Sequence, residues 1–367
     1  MRLMNGVAPD ARDADPAAFL PSAVEQAASW GFTGLGLGVD TDAWLPCADK
    51  LPAIASLSLD KRGAGVLSGV FEVRYGPAVA SACESRAATL KDNNQVLGVL
   101  WEASPVASPR QLFLAYAALE PDTVSKKKMV AFLRELCRND PKVLRSRLPS
   151  FRGFDDLALR TVWDQYEQVD QDAESFSRLV FATYGGKVQE EVRSRFPNYL
   201  NLGPLLSTDL PVAVVHSLAQ YVDVLTFSLS SLDGRIPRRY LEEIHKYTGK
   251  PVLILDCGRR LSPHPRLGTV RTPEGMGEAY RRGAVGGAAL PFNLGTGWSG
   301  YRDTPIEACG FLDAASAPRR PLVEAAGREN PGLNEAHKAE FGLPQTADLF
   351  QDDRFARERS AQGIGHL

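Results

Sequence analysis

Apolar residues fall along this chain in short runs, separated by longer stretches with helical spacing. The runs near residues 3–8, 33–39, 52–58, 95–102, 199–205, 222–228, 251–257 and 292–298 read as strands. FTGLGLGV, QVLGVLWEA, VDVLTFSL and PVLILDC are among them, and such continuous apolar runs suit strands covered on both faces, as in parallel sheets. Between the runs, residues 18–30, 77–91, 125–137, 156–196, 212–221, 238–248 and 272–289 have helical character. In the segment SKKKMVAFLRELC, Val130, Leu133 and Cys137 share one face, and Lys126, Lys127 and Lys128 are expected on a solvated one. Gly249 ends one helix, and Pro273-Glu274 opens another.

This strand–helix alternation implies parallel strands joined by crossovers. Eight of them in a chain of this size predict an α/β protein with a (β/α)8 TIM barrel rather than an open sheet. Residues 1–334 are expected to form a single TIM-barrel domain. Residues 103–197 exceed one crossover and are expected to be an elaborated loop after strand four, with its own helices over the C-terminal face of the barrel. Residues 335–367 form a polar, charged C-terminal tail, expected to be peripheral.

Composition narrows the partners. Lys+Arg number 42 and Asp+Glu 44 among 367 residues, a net charge of −2, which argues against nucleic acid and against an anionic membrane as partner. No stretch reaches the roughly 18 apolar residues of a membrane span. The first residues carry no apolar run of signal-peptide type, so a cytoplasmic location is expected. The five cysteines are scattered, without CxxC or a Cys/His cluster, and are expected to be buried thiols rather than zinc ligands or disulfides. No metal or phosphate motif is seen, so no cofactor is expected.

The segments SWGFTGLGLGVD, LKDNNQVLGVLWE, MVAFLRELCRNDPKVL, FRGFDDL, NYLNLGPLL, YVDVLTFSL, EEIHKYTGKPVLILD, TPEGMGEAYRR and WSGYRDTP follow one another over most of residues 25–330. In order and spacing they resemble the catalytic barrel of agarase-like glycoside hydrolases. That resemblance implies an acid/base at the end of strand four and a carboxylate nucleophile at the end of strand seven. Such a pair flanks the scissile bond, ~5–5.5 Å apart in retaining enzymes and ~6.5–9.5 Å apart in inverting ones.

Laid down without gaps, the resemblance puts Ser104 at the acid/base position, and a hydroxyl is too weak an acid for the work. A short slip restores Glu102 as the acid and puts Trp101 where an Asn is expected. The nucleophile corresponds to Asp256, one methylene shorter than the Glu the resemblance implies. The polar Asn-Trp-Ser after strand two reads Leu37-Gly38-Val39, with Asp40 retained. The Arg of strand five reads Leu205, the aromatic of strand six Leu229 or Ser230, and the His of strand eight Gly297. Trp298 and Tyr301-Arg302-Asp303 are retained.

Trp298, Asp40 and Tyr301 are therefore the candidate substrate contacts. Trp298 either stacks on a sugar ring or plugs the barrel mouth, and Tyr301, Arg302 and Asp303 also read as a cluster that orders a loop. Loss of functional groups at several strand ends points to a catalytically inactive barrel, a pseudoenzyme that binds or scaffolds a saccharide or a protein partner. The alternative is a diverged glycoside hydrolase with Glu102 as general acid and Asp256 as nucleophile or base.

Overall fold

The computed structural model describes residues 1–8, 13, 16–39, 41–59, 67–90, 93–102, 108–161, 169–229, 235–258, 260–261, 269–304 and 308–341. Eight strands, β1 (Arg2–Met4), β2 (Gly34–Leu35), β3 (Ala53–Ser58), β4 (Val96–Glu102), β5 (Leu200–Ser207), β6 (Leu225–Ser228), β7 (Val252–Asp256) and β8 (Asn293–Trp298), close into one barrel. All are parallel, in the order β1-β8-β7-β6-β5-β4-β3-β2, so the expected (β/α)8 barrel is the observed fold. A two-stranded ribbon of Arg260–Leu261 and Thr269–Val270 lies outside it.

Alternation along the strands divides the apolar residues into two sets. Leu3, Ile54, Leu97, Leu100, Leu202, Leu205, Val224, Leu253 and Leu255 form one cluster, which fills the barrel lumen. Met4, Ala55, Val99, Leu206, Phe227 and Ile254, their neighbours in sequence, join a larger cluster between barrel and helices. The lumen is thus a mainly leucine-filled core, into which Ser56 and Thr226 also fall by alternation, with the Thr226 hydroxyl donating to the Leu202 carbonyl.

The barrel closes between its first and last strands, where Leu3 pairs with Gly297 and Met4 with Trp298. The Met1 ammonium donates to the Leu294 carbonyl at 3.1 Å across 293 residues of sequence.

Helices α1 (Pro16–Ser29), α2 (Thr41–Trp44) and α3 (Tyr75–Leu90) precede the long interval after β4. There, α4 (Pro109–Ala117), α5 (Val124–Leu136), α6 (Pro141–Arg147) and α7 (Phe154–Leu159) lead into the long α8 (Val169–Arg195). Because α8 packs against α3 and β5, it is the regular crossover from β4 to β5, and α4 to α7 are the addition. Ser108 and Gln111 form a capping box at the start of α4, and the Thr123 hydroxyl caps α5.

The remaining helices are α9 (Val212–Ala219), α10 (Arg238–Thr248), α11 (Pro273–Ala288) and α12 (Arg320–Phe341). As expected, Gly249 ends α10, in the left-handed conformation at φ +66°. Helix α12 runs through the domain boundary expected at residue 334. It packs on α11, and Asn330 donates to the Trp30 carbonyl (3.0 Å) while accepting from the Tyr280 hydroxyl (2.6 Å). Residues 342–367 lie outside the described residues.

The lysine run departs from its expected solvated face. Lys127 and Lys128 are exposed, but Lys126 is fully buried, because at helical spacing it falls in line with Met129, Val130 and Leu133. Its ammonium donates to the Ala117 carbonyl at the end of α4 and to the Arg160 carbonyl after α7, the latter at 2.7 Å. It therefore ties the added helices together.

Burial lowers the Lys126 pKa from 10.5 to about 8. Between these values the unfolded chain holds a proton that the folded one has released, so the Lys126 contribution to stability rises with pH. Relative to Lys126→Met, the wild type is expected to gain up to about 3 kcal/mol from pH 8 to pH 10.5. Urea unfolding of both proteins across that window checks this, and parallel pH profiles would contradict it.

Candidate functional site

Strand ends set the chemistry of a barrel mouth. β1 is followed by Asn5, β3, β5 and β6 end on Ser58, Ser207 and Ser228, β7 ends on Asp256, and β8 is followed by Ser299. Among the side chains described there, short hydroxyl and amide groups surround the Asp256 carboxylate, and β4 ends on Glu102.

Asp256 is half-buried and engaged at both oxygens. Its Oδ2 accepts from the Ser228 hydroxyl at 2.8 Å, and its Oδ1 accepts from the Ser299 hydroxyl. Ser299 Oγ in turn accepts from the Gly258 backbone N–H at 2.7 Å, so the hydroxyl is oriented toward the carboxylate. A side chain at 258 would block this arrangement, because a Cβ there would lie 2.1 Å from Ser299 Oγ. Ser228 faces Asp256 because the β6–β7 register shifts between Phe227 and Ser228, and Leu229 points instead into the packed layer outside the barrel. Ser230 lies outside the described residues.

A second polar bridge lies beside the first, running from β1 across β8 to β7. Asn5 is 2% exposed. Its amide donates to the Leu255 carbonyl on β7, and its Oδ1 accepts from the Leu37 N–H at 2.8 Å. To reach β7 from β1 the Asn5 side chain spans the intervening β8, which presents Gly297 there. A Cβ at 297 would lie 2.5 Å from the Leu255 carbonyl oxygen, the atom that accepts from Asn5. A Cβ at Gly36 would lie 2.0 Å from Asn5 Oδ1. The mouth is thus closed down to glycine-sized clearances on this side.

Two of the predicted contacts, Trp298 and Tyr301, turn away from the mouth. Trp298 is 1% exposed, donates its Nε1–H to the Cys309 carbonyl at 2.8 Å, and packs on Tyr280 of α11 and on Phe311. Its ring has no open face for a sugar and does not plug the mouth, because alternation turns it outward, toward α11.

Tyr301 is likewise turned away from the mouth. Its hydroxyl donates to Gln26 Oε1 on α1 at 2.5 Å, its ring packs on Phe19 and Trp30, and burial pushes its phenol up to about 12. Arg302 pairs with Asp13 (2.9 Å), and Asp303 pairs with Arg319. The segment after β8 is a polar latch onto Gln26 of α1 and onto Asp13 and Arg319, which precede α1 and α12, as the loop-ordering alternative expects. Leu205 belongs to the lumen, and Trp101 packs edge-on against Tyr184 of α8 at 5.3 Å.

Glu102 ends β4, with its Cα paired to Ser58, and its side chain lies outside the described residues, as do Ser104 and Asp40. All five cysteines are buried free thiols. Among the described residues no group of three or more His, Cys, Asp or Glu could hold a metal ion. No helix among them is long and apolar enough to cross a membrane. Sequence reasoning missed Asn5, Ser228 and Ser299. The signal available was the serine that closes strand after strand.

No protein-family profile and no curated protein matches the chain. Solved structures do. PfGH50B superposes with a TM-score of 0.70 at 18% identity, over 89% of this chain and 50% of that one. The agarase AgWH50C gives 0.68 at 18% identity, over 89% and 51%, and BpGH50 gives 0.71 at 13%, over 92% and 78%. A beta-galactosidase from the psychrophilic Marinomonas ef1 gives 0.59 at 11% identity, over 95% and 61%. The chain spans about half the length of the first two. At these identities the likeness is one of fold, and the fold is that of a glycoside-hydrolase-like barrel.

Proposed function

We propose that this chain is a glycoside-hydrolase-like barrel without hydrolytic turnover, a pseudoenzyme that serves as a binding or scaffold protein, with a saccharide or protein partner at its mouth. The observation that carries this reading is the state of Asp256, whose two oxygens are bound by Ser228 and Ser299. A nucleophile must present an oxygen to the anomeric carbon within a few tenths of an ångström of a productive geometry. Here the carboxylate is shortened and anchored sideways, as a structural acceptor is. The Gly297 clearance supports the same reading, since the side chain that the resemblance expects there has no room.

The hydrolase alternative keeps one support, that Glu102 and Asp256 close β4 and β7. Hydrolysis of a panel of aryl glycosides, followed with wild type, Glu102→Gln and Asp256→Asn at matched folded fractions, separates the two. We expect no turnover that distinguishes wild type from the variants. Wild-type turnover abolished in both would overturn the proposal and establish the two-carboxylate mechanism.

A further inference from the structure

The added helices after β4 carry a site that the barrel mouth does not involve. A cavity of about 600 Å3 opens between the end of α5, α6 and the start of α7, with Arg134, Arg145, Arg152, Phe154, Asp155 and Asp156 among its walls. That is ample room for a small ligand.

Its charge is uneven. Asp155 is paired with Arg134 at 3.0 Å, whose guanidinium also lies over the Phe154 ring. Asp156 accepts from the Arg152 backbone N–H and pairs with Arg160, both at 3.0 Å, and these contacts hold its carboxyl below its usual range. Asp140, beside the cavity, is turned to cap α6 through the Lys142 N–H. The Arg145 guanidinium meets only the Arg152 carbonyl, at 3.2 Å, and neither Arg145 nor Arg152 forms an ion pair among the described residues. Arg145 and Arg152 therefore both line one cavity, while the carboxylates in its wall are already engaged.

The guanidinium fork matches a tetrahedral oxyanion, whose oxygens accept two parallel N–H bonds. We propose that this cavity binds the phosphate or sulfate group of a small molecule, held between Arg145 and Arg152.

Isothermal titration calorimetry of the full chain at low ionic strength tests this, with inorganic phosphate, inorganic sulfate, glucose 6-phosphate and unmodified glucose as probes. Saturable binding of at least one anionic probe is expected. Arg145→Gln or Arg152→Gln should weaken it about tenfold, and the double variant more. Arg238→Gln, which removes an exposed arginine on α10, should leave it unchanged. Both arginines of the cavity are exposed, so circular dichroism should show the variants folded. A stronger response to the phosphates than to sulfate identifies a phosphorylated ligand, and the reverse order a sulfated one. Absence of saturable binding by every anion, or equal affinity in the double variant, would overturn the proposal.

Discussion

Replacing Gly297 by histidine, the residue that the glycosidase resemblance expects at that strand end, should cost about 3 kcal/mol of folding stability. The cost begins at Cβ, which would lie 2.5 Å from the Leu255 carbonyl oxygen. That oxygen belongs to the backbone of β7 and cannot turn aside as a side chain would. Relief requires β7 and β8 to separate, which also disturbs the bond from Asn5 to the same oxygen. Gly297→Ala should therefore show most of the loss, because the methyl group already makes the clash. Urea unfolding of both variants provides the check. A histidine variant as stable as wild type would show that the mouth has slack, and would remove the Gly297 support from the proposed pseudoenzyme reading.

Trp298→Ala should be as damaging for the opposite reason. The residue is 1% exposed and fills the space between β8, Tyr280 and Phe311. Truncating a buried tryptophan to alanine costs about 3–5 kcal/mol through lost contacts and the cavity left behind. Trp298→Phe keeps a ring but removes the Nε1–H that donates to the Cys309 carbonyl, a loss of about 1 kcal/mol. A sugar platform would behave otherwise, with binding lost and stability kept. Thermal unfolding alongside saccharide binding distinguishes the two, and an alanine variant of unchanged stability would remove Trp298 from the core.

Much of the barrel was legible because a strand covered on both faces leaves a plain trace. PVLILDC supplied β7 almost residue for residue. FTGLGLGV supplied only Gly34–Leu35 of β2, since the left-handed backbone at Gly38 (φ +69°) turns the chain away. Lys126 was misread because three adjacent charges look like one face, whereas a helix turns 100° at each residue and sent the first of them into the core.

The site was less legible than the fold. Which residue faces Asp256 is decided by a register shift between β6 and β7, and that shift selects Ser228 over Leu229. Nothing in FSLSS announces it. The role of Asn5 was hidden for a related reason. Its significance lies in reaching over a strand reduced to glycine, and strands β1 and β8 meet only once the barrel is closed.

That closure sets the order in which the molecule can assemble. The seam pairs Arg2, Leu3 and Met4 of β1 with Thr296, Gly297 and Trp298 of β8, and the Met1 nitrogen reaches the Leu294 carbonyl, 293 positions away. The contacts within the added helices are, by contrast, local. Loop-closure entropy must be met before a long-range pairing returns anything, so the helical addition and the β3–β4–β5 region can form early while β1 waits for β8. During that interval β1 and β8 expose open edges, the points at which a slow-folding barrel is most prone to pair with another chain. The latch from Tyr301, Arg302 and Asp303 onto Gln26, Asp13 and Arg319 lies directly beside those edges. The bonds from Tyr301 to Gln26 and from Arg302 to Asp13 span 275 and 289 positions, so they too can form only once the two ends of the barrel have met.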